Sequence, residues 1–354
     1  MNQDSEVIVL LCSRLCPDDE TMPLQPREWS VLAQKLQMEH LRPGYLLMLG
    51  EIQLERRLNL DPQTARRYRR LLDRTEPIRQ ALSLYADMGI YPVTRADSVY
   101  PKTLKRTLGN RCPPFFYCAG NPELLNIACA GYTGVRRADM EDITFTRSTV
   151  MKTLQHGYGV VTGGAVGVDQ TAAGYAFSNG GSVVEYPAGQ MFRRMQNPVC
   201  AEGIRSGKWL LVSISEPDVP FRTPVAMMRN QLIYAHSHGT VVVHAELERG
   251  GTWAGAMLNL RKKYCPCFCR DCGRAGNRAL IAYGAIPVTD EWDGNISAFR
   301  TPSPDRISHC PDNLSLYPDK ISHDPDNLSL YPDDTAHCPD NLSCRPDGTE
   351  QEIF

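Results

Sequence analysis

Backbone amides presented beside a helix start are the first chemistry this sequence offers. Val160-Val161-Thr162-Gly163-Gly164-Ala165-Val166-Gly167-Val168-Asp169-Gln170 reads as a strand that ends in a glycine-rich turn and opens a helix. Gly163, Gly164 and Gly167 let the backbone turn sharply and leave N–H groups next to a helix N-terminus. Orphan donors and the helix dipole there favour a phosphate, with Asp169 in the helix's first turn. The same spacing serves a tight strand-to-helix turn with no ligand, and this segment alone does not choose between them.

Two further junctions repeat the pattern. Ile127-Ala128-Cys129-Ala130-Gly131-Tyr132-Thr133-Gly134-Val135-Arg136-Arg137 brings Arg136 and Arg137 just past a strand end. Guanidinium forks at that edge suit phosphate oxygens. Val241-Val242-Val243-His244 runs on to Gly250-Gly251-Thr252, with Thr252 as a helix cap. Upstream, Arg229 and Asn230 share one end of a helix. Three glycine turns with arginines beside them make a stronger case for an anion than any one alone. Lys102, Lys105, Arg106, Arg193 and Arg194 are further candidate cations; Tyr132, Phe192 and Trp253 are candidate stacking faces that serve equally as core.

No catalytic constellation or metal set is expected. Cys265, Cys267, Cys269 and Cys272 include one Cys-x2-Cys pair but no second pair at ribbon spacing, and alternate residues of a strand are too spread for one tetrahedral ion. They read as buried thiols. His236, His238 and His244 have no nucleophile elbow nearby and read as structural or solvated.

The elements that position these residues follow from the 354-residue pattern. Residues 1–90 read as a helical module, with helix starts near Pro26, Gly50, Asp61-Pro62 and Glu76-Pro77. Arg66, Arg67, Arg69, Arg70 and Arg74 crowd its third helix, a face expected to be solvated or to touch duplex DNA. Residues 91–292 alternate buried strands with amphipathic helices, which argues an α/β fold: an extended Rossmann-like, doubly wound parallel sheet. No 18-residue apolar run exists, so no membrane partner is expected. Thirteen scattered cysteines without a basic, cleavable leader point to reduced thiols and a cytoplasmic setting.

Residues 293–354 form an acidic, proline-rich tail. Ile307–Leu314 recurs as Ile321–Leu328 and, loosely, as Thr335–Leu342, a period of 14 residues. Proline every seventh residue and few apolar side chains predict disorder. His309, Cys310, His323, His337 and Cys338 read as low-complexity sequence rather than a metal site. Residues 301–354 carry 11 acidic and 3 basic side chains, leaving the first 300 with a net +6. A mildly basic body favours a polyanionic partner.

Residues 91–292 resemble the DNA-processing protein A (DprA/Smf) family. The resemblance rests on Tyr100-Pro101-Lys102-Thr103-Leu104, Pro113-Pro114-Phe115-Phe116-Tyr117, the Gly163–Ala173 turn, Ser215-Glu216-Pro217, Arg229-Asn230-Gln231-Leu232-Ile233 and Glu248-Arg249-Gly250-Gly251-Thr252, in family order. It implies a Rossmann-like domain that binds single-stranded DNA, forms a homodimer and hands the strand to the RecA recombinase, with no cofactor. It places Gly163, Gly164, Gly167, Asp169, Arg229, Asn230, Gly250, Gly251 and Thr252 at phosphate contacts. The family's first turn usually reads Gly-Ser-Arg; here Gly131-Tyr132-Thr133 stands there, so Arg136 or Arg137 is expected to substitute. No winged-helix module follows; the acidic repeat takes its place.

Two alternatives share the superfold. Nucleotide phosphoribohydrolases carry Gly-Gly-x-Gly-Thr-x-x-Glu with a catalytic glutamate, but Gly255 occupies that position here. A sensor holding a small nucleotide in the same pocket remains open.

Overall fold

A computed structural model describes residues 1–16 and 20–299. The repeat, its expected disorder and its histidine and cysteine candidates lie outside the described residues. Among those described, no helix is long and apolar enough to cross a membrane.

The N-terminal helices are built around α1 (Gln3–Cys12), whose apolar run Val7–Leu11 is buried on all sides. Asn2 caps it by accepting from the Ser5 amide (2.8 Å). Around it lie α2 (Pro26–Met38), α3 (Glu51–Leu58), α4 (Pro62–Leu72) and α5 (Thr75–Asp87). The arginine-rich face expected to be solvated or to meet DNA is mostly tied into the fold. Arg74, just past α4, is buried and donates to the Leu10 and Ser13 carbonyls, closing the end of α1. Arg67 reaches Glu28 (2.7 Å) and the Pro23 carbonyl (3.0 Å), and Arg69 the Leu49 carbonyl (2.8 Å). Carbonyls at loop and helix ends need donors, and these guanidiniums supply them.

The sheet strands are β1 (Tyr91–Thr94), β2 (Phe115–Gly120), β3 (Cys129–Thr133), β4 (Gly159–Thr162), β5 (Val183–Glu185), β6 (Trp209–Ser213), β7 (Gly239–Val242), β8 (Cys267–Arg270) and β9 (Ile286–Val288). Their order is β1-β2-β6-β5-β4-β3-β7-β8-β9. From β6 to β9 all pairs are parallel, as the alternation implied. The β1–β2–β6 edge is antiparallel instead. The connecting helices are α6 (Lys102–Leu108), α7 (Met140–Gln155), α8 (Val168–Ser178), α9 (Met191–Met195), α10 (Pro198–Arg205), α11 (Thr223–His236), α12 (Gly250–Lys262) and α13 (Ala275–Ala282).

From β3 the chain steps outward through β4 and β5 to β6, then α11 carries it back to β7 on the other side of β3. The strand order reverses between β3 and β7, and a crevice opens at the carboxyl ends of these strands. One apolar cluster joins the N-terminal helices to one face of the sheet. A second, around Phe116, Val161, Val184 and Leu232, fills the other face. Packing continues past β9 into the first residues of the stretch expected to be a disordered tail from 293. Ile296 is buried, Phe299 meets the Phe268 ring, and Trp292 stacks on that ring, so residues 293–299 pack on the folded body.

Candidate functional site

Gly163 begins the turn after β4, and the reason for its missing side chain is local. A Cβ there would overlap the guanidinium of Arg229, which α11 lays across the turn. Gly164 (φ 69°) and Gly167 (φ 92°) adopt left-handed backbone. A Cβ at 164 would overlap the Glu185 carboxylate, and one at 167 the carbonyls of Val135 and Arg136. The three glycines therefore let the β4 turn close on α11, on the end of β5 and on the β3 loop at once.

The turns are also stitched together by side chains. The Thr252 hydroxyl donates to the Gly134 carbonyl (2.9 Å), joining the β7 turn to the β3 turn. Asn230 Nδ2 donates to the Gly251 carbonyl (3.1 Å), while Arg229 Nη1 donates to Asn230 Oδ1 (3.2 Å). Segments distant in sequence thus meet around one guanidinium.

Two cavities flank that guanidinium. One, of about 510 Å³, is lined by Gly163, Gly164, Glu185, Gln190, Arg193, Arg194 and Phe221, among others. The other, of about 640 Å³, is lined by Gly134, Arg137, Asp169, Asn230, Glu246 and residues 249–252. Arg136, Ala165 and Arg229 line both and form the ridge between them.

The ridge is cationic. Arg229 is 7% exposed, and its Nε has no hydrogen-bond partner. Burial draws its pKa down, against the pull of Asp169 and Glu185. A buried guanidinium with an unused donor is costly, and an anion would satisfy it. Arg194 is neutralised: it grips the buried Glu185 through two bonds, one of 2.9 Å, and lies 5.5 Å over the Trp209 ring. Among the described residues, no carboxylate forms an ion pair with Arg136, Arg137, Arg193 or Arg229.

Asp169 departs from the role read from its position. Its Oδ2 accepts from the amides of Gly163 (3.2 Å) and Ala165 (3.3 Å), so two turn donors are already held by the chain itself. Burial pushes its pKa up to about 6, opposed by Arg229 and by those two amides. Among the described residues the amides of Gly164, Val166 and Gly167 have no acceptor; Gly164 and Val166 line the first cavity, whereas Gly167, expected at a phosphate, packs against the β3 loop and lines neither.

The first-turn assignment needs correction. β3 runs on to Thr133, so Gly131 lies inside the strand, and a Cβ there would overlap the hydroxyls of Ser237 and Thr240. Gly134 lines the cavity in its place, followed by Arg136 and Arg137. Gly250 and Gly251 line it too, Gly250 with φ 77°. Lys102, Lys105 and Arg106 on α6 line neither cavity.

The aromatic candidates fare differently. Tyr132 is fully buried, its hydroxyl paired with Thr153 (3.1 Å). Trp253 is buried against Tyr283, and Phe192 leans on Tyr85. The exposed ring at the site is Phe221, 43% exposed, with Arg136 5.3 Å over its face. Its signal in sequence is a lone aromatic before an arginine, Phe221-Arg222, with no periodicity to mark it.

The remaining candidates lie elsewhere. Cys267 and Cys269 sit on β8, buried, with Cys265 just before them; burial pushes the thiols of Cys265 and Cys269 up to about 12. His236 is buried between the Tyr186 hydroxyl and the Leu125 carbonyl (both 2.8 Å). His244 pairs with the buried Asp142 (2.9 Å).

A family sequence profile described as DNA recombination-mediator protein A matches residues 92–295. No curated protein sequence matches the chain. Among solved structures, DNA processing protein A from Streptococcus pneumoniae superposes with a TM-score of 0.61 at 17% identity, covering 84% of this chain and 98% of that one. DNA processing protein A from Helicobacter pylori, whose structure concerns its single-stranded DNA binding mode, gives 0.49 at 20% identity over 59% of this chain and 94% of that one. The molybdenum cofactor carrier protein of Chlamydomonas reinhardtii gives 0.35 at 17% identity over 49% and 96%.

Proposed function

This chain belongs to the DNA recombination-mediator protein A family, and on that premise we propose that the crevice at the β3–β7 switch point binds single-stranded DNA. The carrying observation is Arg229, buried with an unpartnered Nε on a ridge between two cavities. One phosphodiester sits at the ridge against Arg229, Arg136 and the free amides of the β4 turn. The nucleotides on either side enter the two cavities, and a base stacks on Phe221. Such a groove takes splayed nucleotides and has no means of admitting a paired duplex without unstacking it. Phosphate neutralisation supplies affinity, and stacking adds about 1–3 kcal/mol per base without sequence preference.

The finer reading follows the family. The protein shields the strand, passes it to a RecA recombinase and works as a cytoplasmic homodimer, without catalysis or cofactor. Gly255 supports the lack of hydrolase chemistry: a Cβ there would lie 3.0 Å from the Tyr234 ring, leaving little room for a glutamate. The size of the two cavities, about 510 and 640 Å³, also favours one alternative, a bound small nucleotide.

Removing Arg136 and Arg193 by alanine tests the proposal. Each lost cation should flatten the salt dependence of oligonucleotide affinity by about 0.7 in log–log slope. An unchanged slope would reject the groove, and displacement of the oligonucleotide by a mononucleotide alone would favour the sensor.

A further inference from the structure

We infer that Asp169 is the chain's own stand-in for the ligand phosphate, and that a strand docks at Arg229 with uptake of one proton onto this carboxyl. The inference rests on reading the crevice as a single-strand groove. Asp169 holds the amides of Gly163 and Ala165, two donors that a phosphate at this turn would seek. Arg229, beside it, is buried with Nε still to be used. Asp169 is only 5% exposed, so it has no route into water when an anion arrives. An incoming phosphodiester places a like charge next to a carboxylate that burial already disfavours, and protonation relieves the conflict. A neutral carboxyl can release an amide to the phosphate and become a donor itself.

The charged groups around Asp169 come from every neighbouring element. They are Arg229 of α11, Glu185 of β5 with its partner Arg194 of α9, Arg136 and Arg137 of the β3 loop, and Glu246 and Arg249 on the β7 turn. His244, just before that turn and bonded to Asp142, is the imidazole to control.

Binding of a labelled single strand without a terminal phosphate should be measured from about pH 8 to about pH 6, with calorimetry in buffers of different ionisation enthalpy. Affinity should rise about tenfold toward the lower pH, with net uptake averaging about half a proton, greatest between the free and bound pKa values and fading toward about pH 8. D169N keeps an acceptor for the two amides without the charge; it should bind tightly at both pH values and lose the slope, whereas H244Q should retain it. Calorimetry on the wild-type protein carries the test even if D169N does not fold. Affinity flat in pH with no proton uptake, or a slope lost in H244Q and kept in D169N, overturns the inference and leaves the groove standing. No binding at any pH overturns both.

Discussion

The guanidinium of Arg229 fills the space where a side chain at Gly163 would begin. A turn after β4 and a helix 66 residues later are thus fitted to each other through one missing Cβ. The consequence is a cation fixed on the ridge between the two cavities rather than waving above it.

G163A should therefore damage the site directly. The added methyl must expel Arg229 or shift the turn, at a cost of about 1–3 kcal/mol in stability. Thermal unfolding should show that loss, and single-strand affinity should fall with it. Wild-type affinity in a folded G163A protein would separate Gly163 from binding.

R229K tests the fork. A lysine keeps the charge but offers no planar donors to bridge the phosphate and Asn230. Affinity should drop by about tenfold or more, equally for all base sequences, since phosphate contacts carry no sequence information. A loss confined to certain sequences would place Arg229 at a base instead.

The arginines of α4 and its end should divide by what they touch. R74A strips donors from the buried Leu10 and Ser13 carbonyls and should cost about 2–4 kcal/mol in denaturant unfolding. Arg70, exposed on the same helix, should be replaceable by alanine within about 0.5 kcal/mol and without effect on duplex DNA binding. Equal losses from both would refute the stapling role.

His236 should make the fold acid-sensitive. Burial lowers its pKa from 6.5 to about 4, so it is neutral in the native state, accepting from Tyr186 and donating to Leu125. Its stabilisation is complete above pH 6.5 and is lost as pH falls through the folded value, by about 3 kcal/mol in all. Denaturant unfolding of H236Q should show a correspondingly smaller loss between neutral pH and about pH 4. The same acid slope in both proteins would clear His236.

Much of this architecture was legible because it is local. Apolar runs ending in glycines and followed by helical patterns announce parallel strands, and Gly163, Arg229, Asn230 and Thr252 all reach the crevice. What escaped was set by distant partners. Tyr132 and Thr133 prolong β3, so the turn opens at Gly134 while Gly131 answers to Ser237 and Thr240. The antiparallel β1–β2–β6 edge depends on pairing that short strands do not encode by period. Asp169 looks like a ligand contact until its two amide partners are seen, and Arg74 looks solvated until the end of α1 is placed beside it. Phe221 has no pattern; only the fold brings it under Arg136.

The most direct measurement is fluorescence anisotropy of a labelled single-stranded oligonucleotide, with unlabelled single strand or duplex as competitor, at low and moderate salt. Single strand should displace the probe and duplex should do so far more weakly, with affinity falling on a log–log slope of about −2 or steeper for the three cations Arg136, Arg193 and Arg229. Equal competition by duplex, or no binding at low salt, would contradict the single-strand groove.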